Sequence, residues 1–115
     1  MIELEVIIQI KKEKLMEFSQ SLTSIKPALE LLCSSFNIVE VENTFTILMG
    51  MESVQELTTA LCTKEVGVLS GAIKILADKS DIVIHTPGNK RRATDLHEVR
   101  SNYLKRKKKT ITKIK

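Results

Sequence analysis

Every second residue from Ile2 to Ile10 is apolar: Ile2, Leu4, Val6, Ile8 and Ile10. Between them lie Glu3, Glu5, Ile7 and Gln9, with Lys11 continuing the second series. A period of two over this length predicts a strand, Ile2–Lys11, with one face buried and the other mixed. The spacing then changes. Leu15, Phe18, Leu22 and Ile25 follow a helical period, so Lys12–Ser24 predicts a helix laid on the first strand. Pro27 lacks a backbone N–H and disfavours helix at Lys26, which predicts a kink or a restart there, with a short second piece over Ala28–Cys33. Phe36–Glu42 and Thr44–Met51 read as two strands joined at Asn43 by a very short turn.

The next start signal is explicit. Ser53-Val54-Gln55-Glu56 is a capping box, in which the serine hydroxyl accepts the N–H of Glu56 and the glutamate reaches back to the serine N–H. It predicts a helix over Val54–Leu61. Thr63 reads as a second cap, for a helix from Lys64 to about Ala77 with Val66, Leu69, Ile73 and Leu76 inward. Gly67 and Gly71 form a GxxxG whose expected role is close packing against the sheet rather than membrane association. Asp81–Thr86 predicts a fourth strand. Beyond it, Thr94 is a candidate cap for a helix over Asp95–Lys109, with Leu96, Val99 and Tyr103 on one stripe and Leu104 beside it.

The order β-α-β-β-α-β predicts an α+β, ferredoxin-like sandwich: an antiparallel sheet with its helices on one face. The other face must then carry Glu3, Glu5, Ile7 and Gln9, with Ile38, Glu40, Thr46, Leu48, Val83 and His85 expected from the neighbouring strands. That surface is too apolar for free solvent, so a homodimer is expected, with Ile7, Ile38, Leu48 and Val83 in the interface.

Composition narrows the class without naming a chemistry. The chain has 115 residues, enough for one core, and only 3% aromatic residues with no Trp, so Ile, Leu, Val and Met must build that core. No apolar run approaches the ~20 residues of a membrane helix. The N-terminal segment is acidic where a signal peptide is basic, and the chain reads as cytoplasmic. Cys33 and Cys62 sit among apolar neighbours and read as two buried thiols. No CxxC or Cys/His cluster offers a metal-ligand set, and no cofactor is implied.

The charge is divided. Residues 1–87 carry seven Lys/Arg against twelve Asp/Glu, whereas residues 88–115 carry eleven against two. We therefore expect a body over 1–87 and a basic tail over 88–115, with the boundary at Pro87-Gly88-Asn89. The clustered basic positions are Lys90, Arg91, Arg92, Arg100, Lys105, Arg106, Lys107, Lys108 and Lys109, with Lys113 and Lys115 beyond them. Such runs attract phosphate by counterion release, so nucleic acid or an anionic membrane is one possible partner. Tyr103 alone could stack on a base. The competing reading is a solvated extension lying against the partner subunit through Leu96, Val99 and Tyr103.

Specific residues also carry a family resemblance. A strand ending in Met51-Glu52-Ser53, then Val54-Gln55-Glu56-Leu57, Leu61, and Val66, Leu69, Ala72 and Leu76 resembles the antibiotic biosynthesis monooxygenases. Ile2–Lys11 followed by Leu15 and Phe18 fits that family's first strand and helix. The resemblance covers roughly residues 1–86. It implies a dimeric α+β barrel and, in function, cofactor-free oxidation of a small aromatic compound, with haem breakdown in one branch. Met51 and Ala60 stand where members commonly have Trp and often His. A non-catalytic ligand-binding or regulatory dimer is therefore the second reading.

The candidate chemistry is sparse. His85 is the one histidine of residues 1–87. On the mixed sheet face it could meet Gln9 or Glu40 and take a proton, or serve simply as a polar residue near a strand end. Met49 and Met51 line up with Phe45 and Ile47 as a core stripe, or as the adaptable wall of a cavity for a flat apolar ligand. Gln9, Glu40 and Thr46 are the candidate polar contacts of that cavity, with Glu5 beside them.

Overall fold

The computed structural model describes residues 1–93 and 95–102. Its elements run β1 (Ile2–Ile10), a 3-10 turn (Lys12–Lys14), α1 (Leu15–Leu32), β2 (Ser35–Val41), β3 (Thr44–Met51), α2 (Val54–Leu61), α3 (Lys64–Leu76), β4 (Ala77–Thr86) and β5 (Asn89–Ala93). A last helical stretch, α4, covers residues 96–102. The five strands form one antiparallel sheet in the order β2-β3-β1-β4-β5. The first four strands have the ferredoxin-like arrangement, and β5 adds a new edge.

Alternation along β1 decides which face the helices take. Ile2, Leu4, Val6, Ile8 and Ile10 are all buried. Phe45, Ile47, Met49 and Met51 of β3 and Ile82 and Ile84 of β4 join the same core. Phe18, Leu22, Ile25 and Leu29 of α1 and Val66, Leu69, Ile73 and Leu76 of α3 cover it. Burying a side chain of this size contributes about 1.5–3 kcal/mol. Phe18 meets Phe45 edge to face, with ring centroids 4.9 Å apart.

Pro27 does not break α1, which runs unbroken from Leu15 to Leu32. The missing N–H leaves the carbonyl of Thr23 without its helical donor, but Thr23 and Pro27 both face solvent. Phe18, Leu22 and Ile25 before the proline and Leu29 after it are buried, so both halves are held on the sheet. Their combined burial exceeds the ~3 kcal/mol cost of a mid-helix proline.

The β2–β3 hairpin turns at Glu42-Asn43. Glu42 takes the left-handed conformation, φ 56°. Asn43 is held instead by β1: its Nδ2 donates to Ile10 O at 2.9 Å, and Ile10 N donates to Asn43 O at 2.8 Å. Ser53 caps α2 as expected, its Oγ accepting from Glu56 N at 3.2 Å. The return bond goes one residue further back: Glu56 Oε2 accepts from Glu52 N at 2.8 Å rather than from the serine N–H. Thr63 caps α3 by accepting from Val66 N.

Two further expectations are corrected. A Cβ added at Gly67 or Gly71 would meet nothing within 4 Å, so these glycines do not pack closely against the sheet. The close approach is at Gly50, where a Cβ would collide with Ser35 Oγ across the β2–β3 pair. Cys62 is exposed at the end of α2, and Cys33 is partly buried.

The expected break at Pro87-Gly88-Asn89 is a hairpin. Pro87 and Gly88 form its two-residue turn, Gly88 at φ 78°, and Asn89 pairs with Thr86. The basic segment therefore begins as a strand of the same sheet. Asp95 caps α4, its Oδ1 accepting from Glu98 N at 2.7 Å. Thr94, the expected cap, lies outside the described residues, as do Tyr103 and Leu104. Leu96 and Val99 enter this chain's own core rather than waiting for a partner.

Candidate ligand cleft and open sheet face

Two places gather the polar groups that could act on another molecule. The first is a cleft of about 560 Å³ where α1 ends and α2 begins. Leu31, Leu32, Cys33 and Ser34 form one wall, and Ser53, Gln55, Glu56, Thr59 and Ala60 form the other. Backbone geometry makes it. Cys33 leaves the helix in an extended conformation, and Ser34 N donates to Gly50 O at 2.8 Å, which pins the end of α1 beside the end of β3. The capping box then turns the chain out of β3 so that the first turns of α2 face Cys33.

The cleft has an apolar side in Leu32, Cys33 and Ala60, and a polar rim. Burial pushes the Cys33 thiol up to about 11, so at neutral pH it is a protonated, weakly polar surface rather than a nucleophilic thiolate. Thr59 Oγ1 donates to Gln55 O at 2.9 Å and keeps its lone pairs for an incoming donor. Ser53 Oγ accepts one backbone N–H and retains its own proton to donate.

The second place is the sheet face that the helices do not cover. Strand register gives its composition row by row. Ser35, Gly50, Glu3, His85 and Lys90 form one row across the sheet, and Asn37, Leu48, Glu5, Val83 and Arg92 the next. Val39, Thr46, Ile7 and Asp81 follow, then Val41, Thr44, Gln9 and Lys79. Two polar contacts cross it diagonally: His85 Nε2 lies 3.0 Å from Glu5 Oε1, and Arg92 donates to Asp81 Oδ2 at 2.7 Å in an ion pair. Apolar side chains of β1, β3 and β2 occupy one half, and charges of β1, β4 and β5 the other.

The expected site residues divide between these surfaces. Ile7, Leu48 and Val83 share the open face, Ile7 and Leu48 half-buried and Val83 already buried within the chain. Ile38 does not, because it pairs with Ile47 and packs on the helix side of the sheet. The expected cavity set also fails to converge. Gln9 and Thr46 belong to the open face, whereas Met49 and Met51 are buried in the core and Glu40 pairs with Phe45 at the exposed end of β2. His85 meets Glu5, not Gln9 or Glu40. Gln9 stands six residues further along β1 than Glu3, the residue paired in register with His85, about 20 Å away at the rise of an antiparallel strand.

Lys90, Arg91 and Arg92 are exposed on β5, and Arg100 is exposed on α4. Lys105, Arg106, Lys107, Lys108 and Lys109 lie outside the described residues. Among the described residues no three His, Cys, Asp or Glu side chains come together as a metal site. No described helix is long and apolar enough to cross a membrane.

Sequence reasoning missed the cleft because its two walls are about twenty residues apart and are brought together by the Ser34–Gly50 bond and the β2–β3 pairing beside it. The one local signal was the capping box, which marks where a wall begins.

The chain matches no protein-family model and no curated protein. Its fold does match solved structures. An antibiotic biosynthesis monooxygenase superposes with a TM-score of 0.66 at 15% identity, over 75% of this chain and 97% of that one. A Nitrosomonas europaea protein named for the same family superposes with a TM-score of 0.69 at 12% identity, over 75% and 97%. Rv0793 of Mycobacterium tuberculosis gives a TM-score of 0.69 at 9% identity, over 76% and 95%. The chain thus has the monooxygenase-like, ferredoxin-like α+β fold. About a quarter of it has no counterpart in these structures.

Proposed function

We propose that this chain is a homodimeric, monooxygenase-like protein that takes a small, flat, largely apolar molecule into the cleft between the end of α1 and α2. The observation that carries the reading is the cleft itself, about 560 Å³ with an apolar side and a hydrogen-bonding rim, on a scaffold similar to that of the monooxygenases. The space between sheet and helices is taken by Phe18, Phe45, Met49, Met51 and Leu57, all buried. A ligand chamber in that layer is therefore not the reading adopted. Two copies pack open face to open face, with Ile7, Leu48 and Val83 covered and the charges of β4 and β5 nearer the rim. In this reading residues 1–87 supply the binding unit and residues 88–115 extend it through β5 and α4.

Binding, rather than turnover, is the role the cleft supports. Its thiol is protonated at neutral pH, and neither histidine lines it. Calorimetric titration with neutral hydroquinones and naphthols tests this. Saturable binding is expected, and Thr59→Phe, which fills the mouth from an exposed position, should abolish it while the fold is retained. The second reading, cofactor-free oxidation of such a compound, is favoured by the shared scaffold. Oxygen uptake with the same panel separates the two: uptake at the background rate supports a binding protein, whereas turnover lost in Thr59→Phe supports an oxygenase.

A further inference from the structure

We propose that the fifth strand is a docking edge for the sugar–phosphate backbone of single-stranded nucleic acid. Among the described residues β5 pairs with β4 on one side only and is the last strand of the sheet. Its sequence is Asn89-Lys90-Arg91-Arg92-Ala93, and the first four residues are exposed. Register places Lys90 beside His85 and Arg92 beside Val83 on the open face, while Arg91 beside Ile84 emerges on the other. Positive charge therefore projects from both sides of one straight edge.

The three cations are not equivalent. Arg92 is tied to Asp81 at 2.7 Å and helps hold β5 on the sheet. Lys90 and Arg91 make no ion pair among the described residues, so their charge is available. Arg100 of α4 adds a further exposed cation on the same C-terminal segment. The solved structures of this fold are matched over nearly their whole length while covering about three quarters of this chain, so a function separate from the scaffold has somewhere to reside.

The same observations choose between polyanions. A membrane-surface element pairs its cations with apolar side chains that enter the lipid interface. β5 has none to offer, since Ala93 is its only apolar residue and is buried. Nor does the edge hold an aromatic ring for stacking on bases. The expected mode is therefore contact with phosphates, indifferent to base sequence and steeply dependent on salt.

The test is fluorescence anisotropy of the full-length protein with short labelled oligo(U) and oligo(dT), titrated across ionic strength. Equal affinity for the two strands and a linear fall of log affinity with log salt are expected. Lys90→Ala/Arg91→Ala should shallow that slope by about 1.4, the value for two lost contacts to a single strand. Arg92 is left in place so that β5 remains docked, which circular dichroism and thermal unfolding confirm. Lys12→Ala/Lys26→Ala removes the same net charge from the 3-10 turn and α1 and should leave the slope unchanged. Three outcomes would overturn the proposal: no binding at low salt, equal losses in both double variants, or binding to phosphatidylserine vesicles without binding to either oligonucleotide.

Discussion

The two faces of the sheet are made from the same strands and have opposite fates. On β1, Leu4, Val6 and Ile8 are at most 1% exposed, yet their neighbours Glu5 and Ile7 are only half-buried. One face is finished within the chain, because α1 and α3 supply Phe18, Leu22, Leu29, Leu69 and Ile73 to cover it. The other mixes Ile7, Leu48 and Val39 with Glu5, His85, Asp81 and Arg92, and no described helix reaches it. A single chain can satisfy charged and apolar groups on one surface only up to a point. The His85–Glu5 contact and the Arg92–Asp81 ion pair satisfy polar groups locally, while the apolar half is left for another molecule.

The largest effect should fall on the finished face. Leu4→Ala leaves a cavity in the packed core and should cost about 2–5 kcal/mol. Ile7→Ala, on the same strand and also a large-to-small change, should cost the isolated subunit much less. Urea denaturation of both variants at low protein concentration compares them directly. Equal losses would mean that the open face is as well packed as the core.

The reverse ranking is expected for association. Leu48→Lys puts a charge into the proposed interface and should yield a folded monomer at concentrations where the parent chain sediments as a dimer. A parent chain that is monomeric at micromolar concentration would remove the case for a covered open face.

On the helix side, smaller changes test how the layer is held. Ser53→Ala removes the cap of α2 and should cost about 1 kcal/mol, and Glu56→Ala should cost less because only the bond from Glu52 N is lost. Thermal unfolding reads both. Gly71→Ala should instead stabilise, by roughly 0.5–1 kcal/mol, since the added methyl meets nothing and the helix loses a flexible residue. A loss of stability there would restore the close-packing role that the GxxxG spacing suggests.

The smallest expected effect concerns the thiol in the cleft. Its folded pKa is raised, so the folded state keeps a proton that the unfolded chain releases first. Stability should therefore be unaffected below pH ~9 and should fall as pH rises toward about 11. Cys33→Ala should flatten that decline. Alkylation at pH 8 should likewise modify exposed Cys62 well before Cys33.

Much of this architecture was legible before any coordinates, and the exceptions are instructive. β1 has one clean period, so its faces follow from its letters. β2 does not: Phe36 and Ile38 alternate in one phase and Val39 and Val41 in the other, so the sequence offers two registers of similar merit. Pairing with β3 decides, placing Ile38 against the core and leaving Val39 and Val41 exposed. Glu40 and Ile38 were misassigned for that reason alone.

The sequence by itself determined the order of elements from β1 to β4, the core stripes of β1, β3, α1 and α3, and the caps of α2 and α3. Those features rest on local periodicity and local hydrogen bonds, which neighbouring residues contain in full. Only the tertiary structure decided the rest. Pro27 stays in a helix because buried residues on both sides outweigh one missing bond. Residues 89–93 become a strand with no strand pattern, because Pro87-Gly88 turns them onto the free edge of β4. Cys33 meets the start of α2 because Ser34 binds the backbone of Gly50. Each depends on a partner distant in sequence, and no local pattern encodes what that partner will offer.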